Sequence, residues 1–469
     1  MGWSRRHLLQ SCAALPALSL PARAADRVAL RVGAGTGNKI AADYMGLGYE
    51  ASTVAMTNVL APSNRTYVQL VRNLGDQGVI RVGGNVSDFS IYDPNGTPAF
   101  QPKATTVTAK GLSELRGFLD AVGWKVIWGL NLGFDKLDNA VEEAKAATEL
   151  LGDRLIALQI GNEPDLFTRS GHRSEPYGYG AWLAEYRRYK AAIRAVLPKA
   201  AFAGPDQAVN VDWVEQFARD EGKDAVMLTA HHYISGQANP AVSIDLMLQE
   251  EKKYQPALAR LQATSQAANL PYRLCETASF SGGGRADVSD TFAAALWALD
   301  YLFVLASYGC AGVNMETGVN HLGWVSKYTP IGEEPAGHYN AAPEYYGLLA
   351  FAQVGAGELL TLSHDATDIN LTSYAVRRTD GATVIAAINK EAARSASLEV
   401  IAASPTAHAN AVRLAGPTLS AKTGITLAGA AVGANGSWHG RAPEPVTVTQ
   451  GKVMIELPAA SAALITLRA

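Results

Sequence analysis

The chain has 469 residues, of which 48% are hydrophobic and 18% are charged, and its formal net charge is -3. A chain of this length and composition can bury a large core and divide into two domains. The weak negative charge gives no general attraction to nucleic acid. Beyond the first 24 residues, no run is long and apolar enough to cross a membrane.

The N-terminus has the pattern of an export signal. Arg5-Arg6 precedes a short apolar stretch from Ser11 to Leu20, and Ala22-Arg23-Ala24 provides small residues for cleavage. Paired arginines before an apolar core this short are typical of a bacterial twin-arginine signal peptide. We therefore expect residues 1–24 to be removed and the mature chain to be exported to the periplasm or the cell exterior.

From residue 41 to residue 355, apolar β-rich runs alternate with helical patterns, as repeated βα units do. The strand candidates are 44–49, 79–83, 125–130, 155–160, 201–204, 226–231, 272–275 and 309–314. Eight such units predict a (β/α)8 TIM barrel, whose active site forms at the carboxyl ends of the strands. A doubly wound open sheet would show the same alternation and is the alternative.

The character of the chain changes after residue 355. Short β-type runs at 371–377, 383–389, 396–401, 453–457 and 463–468 are separated by Gly, Pro, Asn and Asp turns. This pattern predicts a β-sandwich over residues 356–469. Another strand, at 27–32, has no helix after it, so we expect residues 25–40 to join the sandwich.

Two cysteines remain after the signal segment. Cys275 and Cys310 each lie near the end of a predicted strand. A disulfide between them is possible but not required, since buried free cysteine is common.

Polar side chains follow the predicted barrel strands. They are Glu50, Arg81, Asn85, Asn162, Glu163, Asp206, His231, His232, Tyr233, Glu276 and Glu316. Because the carboxyl ends of barrel strands meet at one face, residues from seven strands converge there. The sequence therefore predicts one polar site at that face.

Two glutamates have the surroundings that glycosidic cleavage needs. The apolar run before Glu163 ends in Gly-Asn-Glu-Pro, where proline prevents a helix from starting at once, and Glu276 closes another apolar run before a glycine-rich loop. A retaining glycosidase uses one carboxyl group as acid/base and a second as nucleophile. We assign Glu163 as the acid/base and Glu276 as the nucleophile, with Glu316 as the alternative for either role.

Neighbouring side chains fit these roles. Arg81 and Tyr233 are expected to donate hydrogen bonds that keep Glu276 ionised. Asn162 is placed to bind a sugar hydroxyl.

We expect neither a metal nor a cofactor. His231 and His232 are adjacent on a strand, so their side chains point to opposite faces and cannot readily bind one ion. The glycines between residues 33 and 37 miss the dinucleotide-binding spacing, and no P-loop or serine elbow is found.

Residues 44–355 resemble glycoside hydrolase family 79, the β-glucuronidases and heparanases, within the large clan of retaining (β/α)8 hydrolases. Asn-Glu-Pro alone marks the clan, and the block that begins at Glu276 is more specific. The motifs in family order are Ile80-Arg81-Val82-Gly83-Gly84-Asn85, Asp88-Phe89, Gly161-Asn162-Glu163-Pro164, Gly204-Pro205-Asp206, His231-His232-Tyr233, Glu276-Thr277-Ala278-Ser279, Gly282-Gly283-Gly284 and Ser289-Asp290-Thr291-Phe292.

The resemblance implies the same roles for Glu163 and Glu276. It further implies that Glu50 holds sugar hydroxyls, that Asn162 binds the 2-hydroxyl, and that Asn85 contacts the glycone. The backbone amides of Gly282 and Gly283 would bind the uronic-acid carboxylate, since amides approach an anion closely only where no side chain intervenes.

The chain departs from the family pattern at two places. Ser281 stands where family members that bind glucuronate often carry tyrosine, with Phe280 one position earlier. A second carboxylate-binding tyrosine, expected after the eighth strand, has no clean match. The candidates in that loop are Asn320, His321, Trp324 and Tyr328.

The sequence thus predicts a secreted retaining β-glucuronidase that acts on a glycan or glucuronide bearing terminal glucuronic acid, with or without a 4-O-methyl group. No long basic strip is evident for a sulfated polymer, which favours exo-action over heparanase-like endo-cleavage. Three alternatives remain. The first is heparanase-like endo-cleavage, and the second is a β-xylosidase that uses the same two glutamates on a neutral sugar. The third is a non-catalytic carbohydrate-binding protein.

Overall fold

The computed structural model describes residues 26–101, 104–208, 210–249, 252–319, 326–365, 368–402 and 406–469. The predicted twin-arginine segment, residues 1–24, lies outside these ranges. Among the described residues, no helix combines the length and apolarity that crossing a membrane requires.

The strands of the described ranges are numbered in chain order. They are β1 (Asp26–Ile40), β2 (Gly46–Glu50), β3 (Val79–Gly83), β4 (Ser90–Tyr92), β5 (Ala99–Gln101), β6 (Ala104–Val107), β7 (Lys125–Leu130), β8 (Leu155–Ile160), β9 (Phe202–Gln207), β10 (Ala225–Gly236), β11 (Tyr272–Ser281), β12 (Val313–Glu316), β13 (Ile331–Glu333), β14 (Tyr339–Ala341), β15 (Gly357–His364), β16 (Leu371–Arg378), β17 (Thr383–Asn389), β18 (Ala396–Ile401), β19 (His408–Ala415), β20 (Thr426–Leu427), β21 (Glu444–Val446), β22 (Val448–Thr449), β23 (Lys452–Leu457) and β24 (Ser461–Arg468).

The helices are numbered in the same way. They are α1 (Ala51–Ala55), α2 (Arg65–Arg72), α3 (Gly84–Ser87), α4 (Ala109–Val122), α5 (Leu137–Leu151), α6 (Phe167–Ser170), α7 (Tyr179–Val196), α8 (Val211–Glu221), α9 (Ile244–Leu248), α10 (Gln255–Ala268), α11 (Phe292–Ser307) and α12 (Pro343–Val354). Short 3₁₀ turns precede β8 and follow it, at Gly152–Arg154 and Pro164–Leu166.

Eight parallel strands close into a barrel in the order β2, β3, β7, β8, β9, β10, β11 and β12. The last strand pairs with the first, through Met315 opposite Leu47 and Glu316 opposite Gly48. This closure confirms the predicted (β/α)8 barrel. The alternative of a doubly wound open sheet is wrong, because β2 and β12 would then be unpaired on one side.

Apolar runs predicted some barrel strands better than others. β3, β7 and β8 have the predicted bounds, whereas β10 and β11 continue beyond theirs to Gly236 and Ser281. Polar side chains in these extensions are satisfied inside the protein: Thr277 donates to the carbonyl of His232 at 2.7 Å, and Ser279 donates to Ser289 at 3.0 Å. Polar residues therefore do not end these two strands.

The C-terminal strands form one curled antiparallel sheet in the order β20, β19, β24, β17, β16, β15, β1, β18, β23 and β22, with β21 beside β19. β1 lies between β15, to which it is antiparallel, and β18, to which it is parallel. Side chains far apart in this order, such as Leu398, Ile455 and Ile465, share one core cluster with Leu30. The sheet must curl around that cluster, and the N-terminal strand is part of it.

The other face of the sheet packs on the barrel helices. The ring of Tyr374 stacks on Phe303 of α11, with centroids 4.7 Å apart and an interplanar angle of 6°. Lys390 pairs with Asp300 of α11 at 2.6 Å, and the lysine side chain is only 1% exposed. Stacking and a desolvated ion pair thus hold the C-terminal sheet against the barrel.

Cys275 and Cys310 are both buried free thiols. The thiol of Cys310 donates to the carbonyl of Gly312 at 3.1 Å. No disulfide joins the two cysteines.

Candidate active site

Glu163 lies at the carboxyl end of β8 in a strained turn. Its backbone is left-handed, with φ 49° and ψ 51°, a region that non-glycine residues rarely adopt. Its N–H donates to the carbonyl of Asp206 at 2.9 Å, and Pro164 begins the 3₁₀ turn that follows. This contact with the end of β9 fixes the residue in the turn.

Glu276 lies on β11 and receives a hydrogen bond on each carboxylate oxygen. Arg81 Nη1 donates to Oε2 at 2.9 Å, and the Tyr233 hydroxyl donates to Oε1 at 2.8 Å. The two donors expected beside this glutamate are therefore in contact with it. Both stabilise a negative charge on Glu276.

The two glutamates face each other across a short gap. An oxygen of Glu163, an oxygen of Glu276 and a ring nitrogen of His231 all lie within 4.8 Å of one another. Retaining glycosidases separate their carboxyl groups by about 5 to 5.5 Å, and inverting enzymes by about 6.5 to 9.5 Å. The spacing matches the retaining arrangement.

Arg81 is the buried hub beneath this pair. Besides Glu276, its guanidinium donates to Asn162 at 2.6 Å, to Asp206 at 2.5 Å and to Gln159 at 3.3 Å. Burial opposes the ionisation of Asp206, but Arg81 and then His231 lower the pKa of this carboxyl to about 2. One cation therefore ties together residues of β3, β8, β9 and β11.

His231 bridges the acid/base candidate and the hub. Its Nδ1 lies 3.0 Å from Glu163 Oε1, and its Nε2 lies 3.0 Å from Asp206 Oδ1. Burial opposes a charged imidazole, but Asp206 and Glu276 raise the pKa of His231 well above its ordinary value. The charged ring donates to an oxygen of each carboxyl group.

His232 points to the other face of β10, as the sequence predicted. Its Nδ1 is hydrogen-bonded to the hydroxyl of Tyr301 at 2.7 Å, and its ring stacks on Tyr254 with centroids 3.5 Å apart. Burial lowers the pKa of His232 to about 3, so this imidazole is neutral.

Burial favours the protonated forms of Glu163 and Glu50, which line one cavity. Burial raises the pKa of Glu163, and the charge of Glu276 raises it further against the hydrogen bond from His231. Burial, and then the charge of Glu276, raises the pKa of Glu50 to about 8. A protonated Glu163 beside a hydrogen-bonded Glu276 is the arrangement that acid-assisted nucleophilic displacement needs.

A cavity of about 550 Å³ opens above these groups. Ten residues named from the sequence line it: Glu50, Asn85, Glu163, His232, Tyr233, Glu276, Ser281, Gly282, Gly283 and Glu316. Tyr328 lines it too, with its ring centroid 6.2 Å from that of Tyr233. The strand-end residues thus converge on one cavity.

Asn162, directly before Glu163, is buried and is not among the residues that line the cavity. Its N–H donates to Asp88 at 2.8 Å, and its side-chain oxygen accepts from Arg81. Its Nδ2 is buried without a hydrogen-bond partner among the described residues. That amide is therefore an unused donor next to Glu163.

The loop after β11 consists of three glycines in left-handed conformations. The φ angles of Gly282, Gly283 and Gly284 are 82°, 97° and 76°. The carbonyl of Gly283 accepts from the N–H of Lys327 at 2.5 Å, which joins the loop to the segment after β12. Tyr328 follows in that segment, whereas the other candidates, Asn320, His321 and Trp324, lie outside the described residues.

Several cavity residues were not identified from the sequence. They are Leu166, Arg169, Ala208, Ile234, Ser235, Gly236, Lys253 and Tyr254. Arg169 lies on α6, directly after the 3₁₀ turn that contains Pro164, so its nearness to that motif was a usable signal. Lys253 lies in the connection from α9 to α10, where no motif marks it.

The Glu163, His231 and Glu276 cluster has the ligand types that a metal ion uses. Its atoms are already engaged, because Arg81 and Tyr233 face Glu276 and both His231 nitrogens face carboxylates. A charged histidine and a buried arginine supply the positive charge. The cluster therefore fits proton transfer better than metal binding.

The closed parallel barrel and the two facing glutamates are the arrangement found in (β/α)8 glycoside hydrolases. The profile of the glycosyl hydrolase family 79 C-terminal beta domain matches residues 369–464. This match over the C-terminal sheet agrees with the resemblance of the barrel motifs to glycoside hydrolase family 79.

Similar proteins carry glucuronidase names. The chain is 26% identical over 371 residues to a β-glucuronidase of Aspergillus niger, covering 71% of this chain and 66% of that protein. It is 28% identical over 319 residues to a β-glucuronidase of Neurospora crassa, covering 59% of this chain and 56% of that protein. The chain thus aligns with less than two thirds of the length of either relative.

The fold also matches a solved structure. A 4-O-α-L-rhamnosyl-β-D-glucuronidase from Fusarium oxysporum superposes with a TM-score of 0.78 at 19% identity, covering 94% of this chain and 100% of that chain. This likeness supports the barrel and the C-terminal sheet.

Proposed function

We propose that the protein is an exported retaining β-glucuronidase that removes terminal β-linked glucuronic acid, plain or 4-O-methylated, from a glycan or glucuronide. The observation that carries the proposal is the pair of carboxylates, Glu163 and Glu276, with oxygens within 4.8 Å across one cavity. The names of the relatives support the glucuronide class. The twin-arginine pattern in residues 1–24 supports export.

In the first step, a carboxylate oxygen of Glu276 attacks the anomeric carbon, and the bond to the leaving-group oxygen breaks. Glu163 donates its proton to that oxygen, and a glycosyl ester forms on Glu276. Burial keeps Glu163 protonated for this step, because it raises the pKa of that carboxyl. Arg81 and Tyr233 hold the attacking carboxylate in place.

In the second step, Glu163 takes a proton from water, which attacks the anomeric carbon and breaks the ester to Glu276. The charged ring of His231 donates to Glu163 and stabilises its ionised form between the two steps. The free Nδ2 of Asn162 would bind the sugar 2-hydroxyl, and such a contact strengthens at the transition state.

The charge of the cavity favours an acidic sugar. Gly282 and Gly283 line the cavity in left-handed conformations, and because they have no side chain an anion could approach their backbone amides closely. Arg169 and Lys253 also line the wall and add positive charge. A uronic-acid carboxylate would be stabilised by all of these groups.

Azide rescue of the two glutamate variants tests the mechanism. With 2,4-dinitrophenyl β-glucuronide, we expect Glu276→Ala to lose about 10³-fold or more in turnover and, with added azide, to release the α-glucuronyl azide. Glu163→Ala should instead form the ester, stall, and give the β-glucuronyl azide. NMR of the products distinguishes the two anomers.

The control is Glu142→Ala, whose side chain is 60% exposed on α5; it should keep wild-type turnover. Near-normal turnover of Glu276→Ala, or exchanged azide anomers, would contradict the assignment. If the wild-type protein cleaves p-nitrophenyl β-xyloside but not the β-glucuronide, its substrate is a neutral sugar and not a glucuronide. Release of internal fragments from a glucuronate-containing polymer would indicate endo-action.

A further inference from the structure

A third glutamate lies beside the nucleophile and has no part in the two steps above. Glu316 is the last residue of β12, which lies between β11, the strand of Glu276, and β2, the strand that ends in Glu50. Its side chain lines the same cavity and the residue is only 3% exposed. Three carboxyl groups on adjacent strands therefore face one ligand space.

Glu316 differs from its two neighbours in its hydrogen bonds. Both oxygens of Glu276 face donors, and Glu50 accepts the N–H of Val86 at 2.8 Å. By contrast, Oε2 of Glu316 is buried without a hydrogen-bond partner among the described residues. A buried polar atom in that state has a large cost unless a ligand or a proton satisfies it.

The surroundings of Glu316 oppose its ionisation. Burial, followed by the charges of Glu276 and Glu50, raises the pKa of Glu316 well above its ordinary value, against Arg81 and His231. The hydroxyl groups of Tyr233 and Tyr328 are the other titratable groups nearby, and both are neutral because burial raises the pKa of each. A neutral carboxylic acid carries an O–H donor, which an ionised one lacks.

Glycine on the neighbouring strand leaves room for this carboxyl. A Cβ atom at Gly48 would lie 2.6 Å from Oε2 of Glu316, too close for a normal contact. The carboxyl thus occupies space that any other residue at position 48 would restrict.

We propose that Glu316 is a glycone-binding residue whose neutral carboxyl group donates a hydrogen bond to an oxygen of the uronic-acid ring beside the nucleophile. The inference rests on the proposed function, since it assigns the ligand to that site. A neutral donor binds the sugar without adding a negative charge that would repel its carboxylate. It also accounts for an acid at β12 that serves as neither catalytic group.

The test compares Glu316→Gln with Glu316→Met. Glutamine keeps the shape and a donor but cannot ionise, whereas methionine keeps the length and loses the donor. For p-nitrophenyl β-glucuronide we expect the glutamine variant to stay within about 5-fold of wild-type kcat/KM, and the methionine variant to lose about 10- to 100-fold, mainly through KM. Calorimetric binding of glucuronate should weaken by the same factor in the methionine variant.

Each other outcome overturns the assignment. Equal losses in both variants would show that the ionised form is required, and no loss in either would show that Glu316 does not contact the sugar. Thermal melts check that both variants are folded, and the glutamine variant decides the question if the methionine variant is not. If the wild-type protein cleaves no glucuronide, the proposed function itself is wrong. The comparison of the two variants does not test that point, so the wild-type assay is done separately.

Discussion

The residues of the active site balance charge around a buried arginine. Arg81 and His231 bring positive charge to Asp206, while Arg81 and Tyr233 donate to Glu276. In a desolvated network each member depends on its partners, because an unpaired buried charge has a high cost. The sequence placed Asp206 only at a strand end, since its two partners lie 125 and 25 positions away in the chain.

The first prediction concerns the acid stability of Asp206→Asn. The pKa of Asp206 is lowered from 3.8 to about 2 in the folded protein, so its ionised form contributes stability above pH 3.8 that is lost as the pH falls through 2. The difference in unfolding free energy between wild type and variant should therefore be about 1 kcal/mol smaller at pH 3 than at pH 5. Urea denaturation at the two pH values measures it.

The control for this experiment is Asp153→Asn, because that side chain is 81% exposed. The difference in unfolding free energy between this variant and wild type should not show the same change between pH 3 and pH 5. Parallel pH dependences for wild type and Asp206→Asn would contradict the proposed stabilisation by Arg81 and His231.

At the scale of elements, local sequence patterns were enough to predict where most strands lie, whereas long-range contacts determine which residues meet at the site. β3, β7 and β8 were predictable to the residue because their apolar runs end where the strands end. β10 and β11 were predicted too short, because polar side chains that are satisfied inside the barrel resemble loop residues in the sequence. The meeting of Glu163 and Glu276 at one cavity was predictable from Asn-Glu-Pro and from the apolar run before Glu276. Lys253 was not predictable, because only the fold brings its loop to the cavity.

The glycine loop after β11 gives a prediction at this scale. Gly282→Ala should lower stability by about 1 kcal/mol, since φ is 82° there. It should also raise KM for a glucuronide about 10-fold, because the added Cβ would lie 3.2 Å from Nε2 of Gln237 and displace the loop that lines the cavity. Steady-state kinetics with p-nitrophenyl β-glucuronide and a melt measure both effects.

Gly381→Ala is a matched control, because φ is 83° at that position in the C-terminal sheet and a Cβ there meets nothing within 4 Å. It should lose similar stability and keep the wild-type KM. If the two variants have the same KM, the loop does not bind the substrate.

At the scale of the whole molecule, the C-terminal sheet is integral to the barrel. Its outer face packs on α11 through Tyr374 and Lys390, and its inner core includes Leu30 from the opposite end of the chain. Neither part is expected to melt alone, since each buries apolar surface of the other.

This coupling predicts the effect of Leu30→Ala. The side chain is fully buried in the second core, so its truncation should cost about 2 to 5 kcal/mol and lower the temperature at which activity and far-UV circular dichroism are lost together. The neighbouring Arg31→Ala is the control, because Arg31 is exposed on the same strand. Loss of sheet signal while activity persists would show that the two parts unfold separately.

The position of β1 also constrains the order of events during synthesis. Thr36 donates to the carbonyl of Leu359, 323 positions later, and the partners of β1 on both sides are translated after all the barrel strands. The barrel strands are translated between β1 and its partners. Both edges of β1 are therefore unpaired while the barrel is translated. Such a segment is a natural binding site for chaperones, and its pairing is the late step that completes the molecule.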